Sequence, residues 1–176
     1  MKIGIAGVGG IGSNVAVNLV RSGIRELTIV DYDRVELSNL NRQFYFADQI
    51  GLKKVDMLTV NLQRIVPDLQ IQSHDLRLTI DNCEQLFHNC DTIVEGLDKS
   101  EDKKMVLEQF GTSKFIVSAC GIGGSEIVPI ATRHLGTSHI VGDFVTDCSQ
   151  HQLYAHKVIA VAARMTELLL THHSHE

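Results

Sequence analysis

Gly7, Gly9 and Gly12, with Gly10 between them, follow the apolar run 3–6 and precede Val15, Leu19 and Val20 at helical spacing. The glycines therefore fall in a strand-to-helix turn, the context that a G-x-G-x-x-G pattern requires. Glycine is needed there because the backbone turns sharply and its N–H groups must come close to phosphate oxygens at a helix N-terminus. Asp31 stands 19 residues after Gly12, at the end of a second apolar strand, where a carboxylate can accept hydrogen bonds from ribose hydroxyls. These residues point to a bound mononucleotide or dinucleotide and do not say which.

The following residues narrow the chemistry. Asp31, Asp33, Ser38, Asn39, Asn41, Arg42 and Gln43 fall within thirteen positions, and Lys54 comes shortly after. A nicotinamide enzyme has no reason to present so dense a polar cluster behind its ribose-binding acid. Asn39, Arg42 and Lys54 supply donors, Arg42 as a planar fork suited to phosphate and Lys54 as a point charge. A triphosphate needs such a cluster.

The segment D-Y-D-R-V-E-L-S-N-L-N-R-Q (31–43), after G-V-G-G-I-G-S (7–13), closely resembles the signature of the ThiF/MoeB/HesA adenylyltransferases, the prokaryotic relatives of ubiquitin-activating enzymes. The resemblance continues through G-L-K-K-V around Lys54, E-G-L-D around Asp98, V-S-A-C-G (117–121) and V-G-D-F (141–144), and looks most like the short, ThiF-like branch associated with thiamine biosynthesis. It implies an α/β, Rossmann-like three-layer fold whose mainly parallel sheet is continued by antiparallel strands. It also implies adenylation, with ATP and Mg2+, of the C-terminal carboxylate of a small ubiquitin-like sulfur carrier ending in Gly-Gly. A homodimer is expected.

On that resemblance Gly7, Gly9, Gly10, Gly12, Asp31, Asp33, Asn39, Arg42 and Lys54 form the nucleotide site, and Arg42, Lys54 and Asp98 are the catalytic set. Arg42 and Lys54 would offset phosphate charge, Asn39 would orient the phosphates and Asp31 would fix the ribose. Asp98 follows a buried strand, so it should face the same crevice as the glycine turn. A carboxylate beside a triphosphate is repelled unless a cation lies between them, which assigns Asp98 to magnesium; its plain alternative is a cap on the helix beginning near Glu101. Longer relatives carry, before the first strand, an arginine that reaches the partner subunit's nucleotide; only Lys2 stands in that vicinity here, and no such contribution is expected. Sulfur would be added by another protein.

With 176 residues, one domain over 1–171 and a polar, His-rich tail at 172–176 are expected, and a chain of this length can bury roughly 70% of its unfolded surface. A formal net charge of −5 argues against nonspecific nucleic-acid binding. Cys83, Cys90, Cys120 and Cys148 form no C-x-x-C pair, which argues against a four-thiolate zinc site. No leader precedes the first strand, and no apolar run approaches the roughly eighteen residues of a membrane span, so a cytoplasmic protein with reduced thiols is expected.

The remaining chain must position these groups. Residues 34–43 are too polar for a strand and read as a turn over the nucleotide. Phe44, Tyr45 and Phe46 read as packing at the sheet edge or against a partner, with adenine stacking the sharper alternative. Periodicity gives helices over 51–66, 80–88, 103–110 and 156–171, with Lys53 and Lys54 opposing the dipole of the first, where a bound anion would explain them. Strands are expected at 69–74, 92–94, 114–119, 126–131 and 139–141, and a crossover loop at 146–152. Cys120 reads as a buried thiol at a strand end, and Cys148 as a loop cysteine with only His151 near it in sequence. Two other readings stay open: a nicotinamide-dependent (NAD) oxidoreductase, and a nucleotide-binding module that docks a ubiquitin-like partner without turnover.

Overall fold

The computed structural model describes residues 1–174. Alternating strand and helix patterns produce a seven-stranded sheet in the order β3-β2-β1-β4-β5-β7-β6. Its strands are β1 (Lys2–Ala6), β2 (Glu26–Asp31), β3 (Gln70–Asp75), β4 (Thr92–Glu95), β5 (Phe115–Ala119), β6 (Ala131–Leu135) and β7 (Ser138–Gly142). The helices are α1 (Gly10–Arg21), α2 (Lys54–Gln63), α3 (Ile80–Phe87), α4 (Ser100–Phe110) and α5 (Ala155–His173). Every pairing is parallel except β6 with β7. The expected mixed Rossmann-like sheet is therefore present, its antiparallel continuation being the edge strand β6.

Helices cover both faces, which is why β1, β4 and β5 are apolar on both sides. On one face Val15, Leu19, Leu58, Leu62, Val161 and Met165 of α1, α2 and α5 bury against Ile3, Ile5 and Val117. On the other, Phe87 of α3 and Phe110 of α4 meet edge to face, 6.1 Å between centroids, over Ile93 and Ile116. β2 and β4 flank β1, so the chain winds outward in opposite directions from the β1–β4 pair and opens a crevice at the carboxyl ends of these strands.

Several expected boundaries move. Residues 126–130 pair with nothing; Pro129 has no N–H to give a ladder, and pairing starts at Ala131. Helix α2 begins at Lys54 rather than near 51, because Gly51 holds φ +87° and Lys53 forms an antiparallel bridge with Arg34. Helix α4 starts earlier than expected, at Ser100. Helix α5 runs through His173, with His172 stacked on Phe115 at 4.0 Å, while His175 of the expected tail lies outside the described residues. No helix among the described residues is long and apolar enough to cross a membrane.

One buried ion pair ties α5 to the far end of the sheet. Lys157 Nζ lies 2.6 Å from Asp143 Oδ2, and both side chains are 1% exposed. Lys157 also donates to the carbonyl of Gly123, and Asp143 accepts the N–H groups of Val145 and Thr146. Burial opposes ionisation of Asp143, but Lys157 and the donors of Thr146 and Val145 outweigh it and hold the carboxyl well below the usual carboxylate range. A depressed folded-state pKa stabilises above the unfolded value, about 3.9, and the stabilisation is lost as pH falls from there through the folded value. Asp143→Asn, which leaves Lys157 buried without its counter-charge, should therefore lower stability at pH 7 by about 3–5 kcal/mol. In urea unfolding at a series of pH values, the gap to the parent chain should narrow below about pH 4.

Candidate active site

The glycine turn is shaped by how closely three backbone segments pass. A Cβ on Gly12 would lie 1.9 Å from the Gly7 carbonyl oxygen, and one on Gly96, after β4, would lie 2.9 Å from the same atom. Gly7 itself holds φ +82°. No side chain larger than hydrogen fits at these crossings, so α1 starts flush against the end of β1 and presents the free N–H groups of its first turn to the crevice. Asp31 locks this turn from the side: its Oδ2 accepts the Val8 N–H at 2.8 Å and its Oδ1 the Asp33 N–H at 2.8 Å. Burial raises the Asp31 pKa, opposed by Lys54 and by these two backbone donors. Tyr45 closes the turn from below by donating to the Val8 carbonyl at 2.8 Å.

The polar segment 34–43 folds over α1 as a 3₁₀ turn (Leu37–Asn39) and a short loop. Asn39, buried, accepts the Glu36 N–H through Oδ1 at 3.1 Å and so shapes the turn. Ser13 and Asn14, in the first turns of α1, bind the other end: Asn14 Nδ2 donates to the Arg42 carbonyl at 2.8 Å, and Ser13 Oγ accepts the Phe44 N–H at 3.0 Å. Arg42 is thereby set above the helix N-terminus, with one guanidinium nitrogen donating to the Ser38 carbonyl at 2.9 Å and to Asn41 Oδ1 at 2.8 Å. Its Nε is buried without a hydrogen-bond partner, as is Gln43 Oε1. Burial also lowers the Arg42 pKa, an effect that Cys148 opposes.

Lys54 opens α2, is 5% exposed, and pairs with Asp33 Oδ2 at 2.8 Å. Lys53 does not join it: its ammonium turns outward to Asp75 at the end of β3, 2.7 Å away. Gly7, Gly9, Gly10, Asp31, Asp33, Asn39, Arg42, Lys54 and Asp98 all line one cleft of about 1020 Å³, with Gly12 packed directly behind it. Asp98 sits exposed on the turn after β4, and Lys99, not Asp98, occupies the N-cap position of α4. The aromatic side chains lining the cleft are Tyr32 and Phe144, whereas Phe44 and Tyr45 pack into the core. Cys120, expected buried, is exposed, because the chain turns away at Gly121 (φ +76°) as soon as β5 ends. Cys148 is exposed, and the His151 ring bonds the Asp147 carbonyl.

A buried network beneath Asp98 has no local signature in the sequence. Glu95, the last residue of β4, is 0% exposed and accepts from Lys103 of α4 at 2.8 Å, from the Leu97 N–H at 2.7 Å and from the hydroxyl of Ser118 on β5. It thereby fixes the turn that carries Asp98. The only hint in the sequence is an acid inside an apolar strand end, which needs a partner supplied from elsewhere.

So arranged, the crevice is that of a Rossmann-like α/β fold. The chain belongs to the ThiF family, whose profile matches residues 1–160. A ubiquitin-like modifier-activating enzyme 5 from Drosophila virilis is 39% identical over 123 residues, 67% of this chain and 30% of the relative. The chain thus spans under a third of the length of that curated relative. Among solved structures, the E. coli tRNA N6-threonylcarbamoyladenosine dehydratase TcdA, in complex with AMP, superposes with a TM-score of 0.84 at 20% identity over 98% of this chain and 87% of its own. HcgE from Methanothermobacter marburgensis, bound to guanylylpyridinol and ATP, gives 0.81 at 16% identity over 97% and 93%. At those identities the two structures speak for the fold.

Removing Glu95 leaves the Leu97 N–H without its acceptor and Lys103 with only the Ala119 carbonyl, 3.4 Å away. Glu95→Ala should lower stability in urea unfolding by about 1–3 kcal/mol, and a loss under ~0.5 kcal/mol would show the network is not coupled to the fold.

Proposed function

We propose that this chain uses ATP to adenylate the C-terminal carboxylate of a small ubiquitin-like protein. The observation that carries the reading is that the buried Lys54 and a half-buried Arg42, whose Nε lacks a partner, both line the cleft that the glycine turn opens. Two cations in one cleft, Arg42 at the N-terminus of α1, suit a chain of phosphates. The family membership and the names of the curated relatives support a ubiquitin-like partner.

The reaction places little demand on acid–base chemistry. An α-carboxyl group has a pKa of about 3.5, so the nucleophile is already ionised at neutral pH. Its oxygen attacks the α-phosphorus of ATP, the bond from that phosphorus to the bridging oxygen breaks, and pyrophosphate leaves with the electron pair. The product is a mixed anhydride between the protein tail and AMP. What the enzyme supplies is alignment and charge neutralisation. Asp31 meets the ribose, the first-turn N–H groups and Arg42 hold the phosphates, and Lys54 leaves Asp33 for a phosphate oxygen as the triphosphate enters.

Magnesium fits this donor set. Among the described residues no cluster of three or more His, Cys, Asp or Glu could cage an ion. Asp98, one of the exposed carboxylates at the cleft, would suit an ion held mainly by phosphate oxygens and water. Bound there, it would neutralise part of the phosphate charge.

The finer assignment is a ThiS-like sulfur carrier of thiamine thiazole formation, in a homodimeric enzyme; it rests on the short ThiF-like pattern of the sequence. The test is ATP–pyrophosphate exchange with purified carriers that end in Gly-Gly. Arg42→Ala should lose at least about 10²-fold of the carrier-dependent exchange while its melting temperature stays that of the parent. Normal exchange in that variant would remove Arg42 from the mechanism, and exchange with a modifier but not with a sulfur carrier would reassign the pathway.

A further inference from the structure

Helix α2 opens with Lys54 at the cleft, and its buried face carries one further polar side chain. That face is Lys54, Val55, Leu58, Asn61 and Leu62, the stripe that packs an amphipathic helix onto a sheet. Asn61 stands seven residues after Lys54, so the two share one side of the helix, two turns and about 10 Å apart. It is 2% exposed. A carboxamide inside an apolar stripe is unfavourable unless its polar atoms are met, and packing alone would be served by leucine.

The partners of Asn61 come from the continuation of the Arg42 loop. Its Nδ2 donates to the Phe44 carbonyl at 3.0 Å and to Gln49 Oε1 at 3.0 Å, while Gln49 Nε2 donates to Asn61 Oδ1 at 2.7 Å. The two buried amides thus form a reciprocal pair, and Gln49 fixes which way the Asn61 carboxamide points. Gln49 Oε1 also accepts the Phe46 N–H at 3.1 Å, which ties the pair to the same length of loop. Phe44 lies two residues after Arg42, and α1 holds this backbone from its other side, Ser13 accepting the Phe44 N–H and Asn14 donating to the Arg42 carbonyl. The Arg42 loop is therefore clamped between two helices. One ties it to the glycine turn, and the other is the helix whose first residue is Lys54.

Two cations that serve one chain of phosphates must keep one spacing, and a misplacement of about 1 Å is enough to lose such a contact. An amide pair that only filled the core would be dispensable, because apolar groups of the same shape on both sides replace it at little cost. What no apolar pair replaces is the bond to the Phe44 carbonyl. We propose that Asn61, oriented by Gln49, is a positioning residue for Arg42 and sets the distance between the guanidinium and the Lys54 ammonium to that of the triphosphate. The proposal rests on the adenylation reading above.

Calorimetric titration with ATP–magnesium and with adenosine, which brings no phosphate, tests this in the native chain and four variants. Asn61→Leu should weaken ATP binding about fivefold and leave adenosine unchanged. Made on top of Arg42→Ala, the same substitution should cost nothing more than Arg42→Ala alone, since no guanidinium remains to be positioned. Gln49→Met/Asn61→Leu removes both amides and leaves neither buried without its partner; its melting temperature should stay near that of the parent while ATP is weakened as in Asn61→Leu. Full ATP affinity in either Asn61 variant, an equal loss on adenosine, or the same loss with and without Arg42 would overturn the proposal while leaving adenylation standing. A native chain that binds ATP no more tightly than adenosine would overturn the adenylation reading and this proposal with it.

Discussion

A chain of phosphates can be held by backbone N–H groups only where no side chain stands between them. At the end of β1 this condition is met by the crossing of three backbone segments, with the Gly7 carbonyl oxygen inside the space that a Cβ at Gly12 or Gly96 would take. Everything else in the site is placed relative to that crossing. Asp31 and Tyr45 hold its outer strand, Ser13 and Asn14 tie the Arg42 loop to the helix that starts there, and the third segment leads directly into the turn bearing Asp98. A change at Gly12 would therefore act on the whole site, because α1 could not begin where the cleft needs it.

The second constraint is electrostatic. On the proposed reading, two cations that meet a polyanion must be accommodated by the fold itself. Lys54 is buried against Asp33, whose side chain remains half exposed, so the pair can open when a stronger partner arrives. Arg42 uses part of its fork on Ser38 and Asn41 and keeps Nε unsatisfied. An unpaired buried donor is unfavourable, and an oxygen acceptor that reached it would remove that cost. Glu95 with Lys103, and Asp143 with Lys157, are different: both acids are fully enclosed, and their role is to fix the turns around the cleft.

Features set by local chemistry were legible in the sequence. The spacing of Gly7, Gly9 and Gly12 and the position of Asp31 marked the strand-to-helix turn, and Asp33, Asn39, Arg42 and Lys54 of the polar segment do gather at the same cleft. Features set by contacts distant in sequence were not. Glu95, Lys103 and Ser118 come from β4, α4 and β5 and carry no spacing that joins them. Lys53 and Lys54 look equivalent side by side, yet the bridge to Arg34 sends one to Asp75 and leaves the other in the cleft. Residues 126–131, with Pro129 among them, read as a strand, but a residue without an N–H cannot extend the ladder, and the edge strand formed further on.

The central claim is that the cleft exists to hold a nucleoside triphosphate through Arg42 and Lys54. A crystal structure of the chain with ATP and magnesium tests it most directly. The account predicts the adenosine at Asp31, with Lys54 Nζ moved from Asp33 to a phosphate oxygen and the Arg42 guanidinium within about 3 Å of the phosphates. Phosphates held elsewhere, with the Lys54–Asp33 pair intact and Arg42 still bonded only to Ser38 and Asn41, would contradict it.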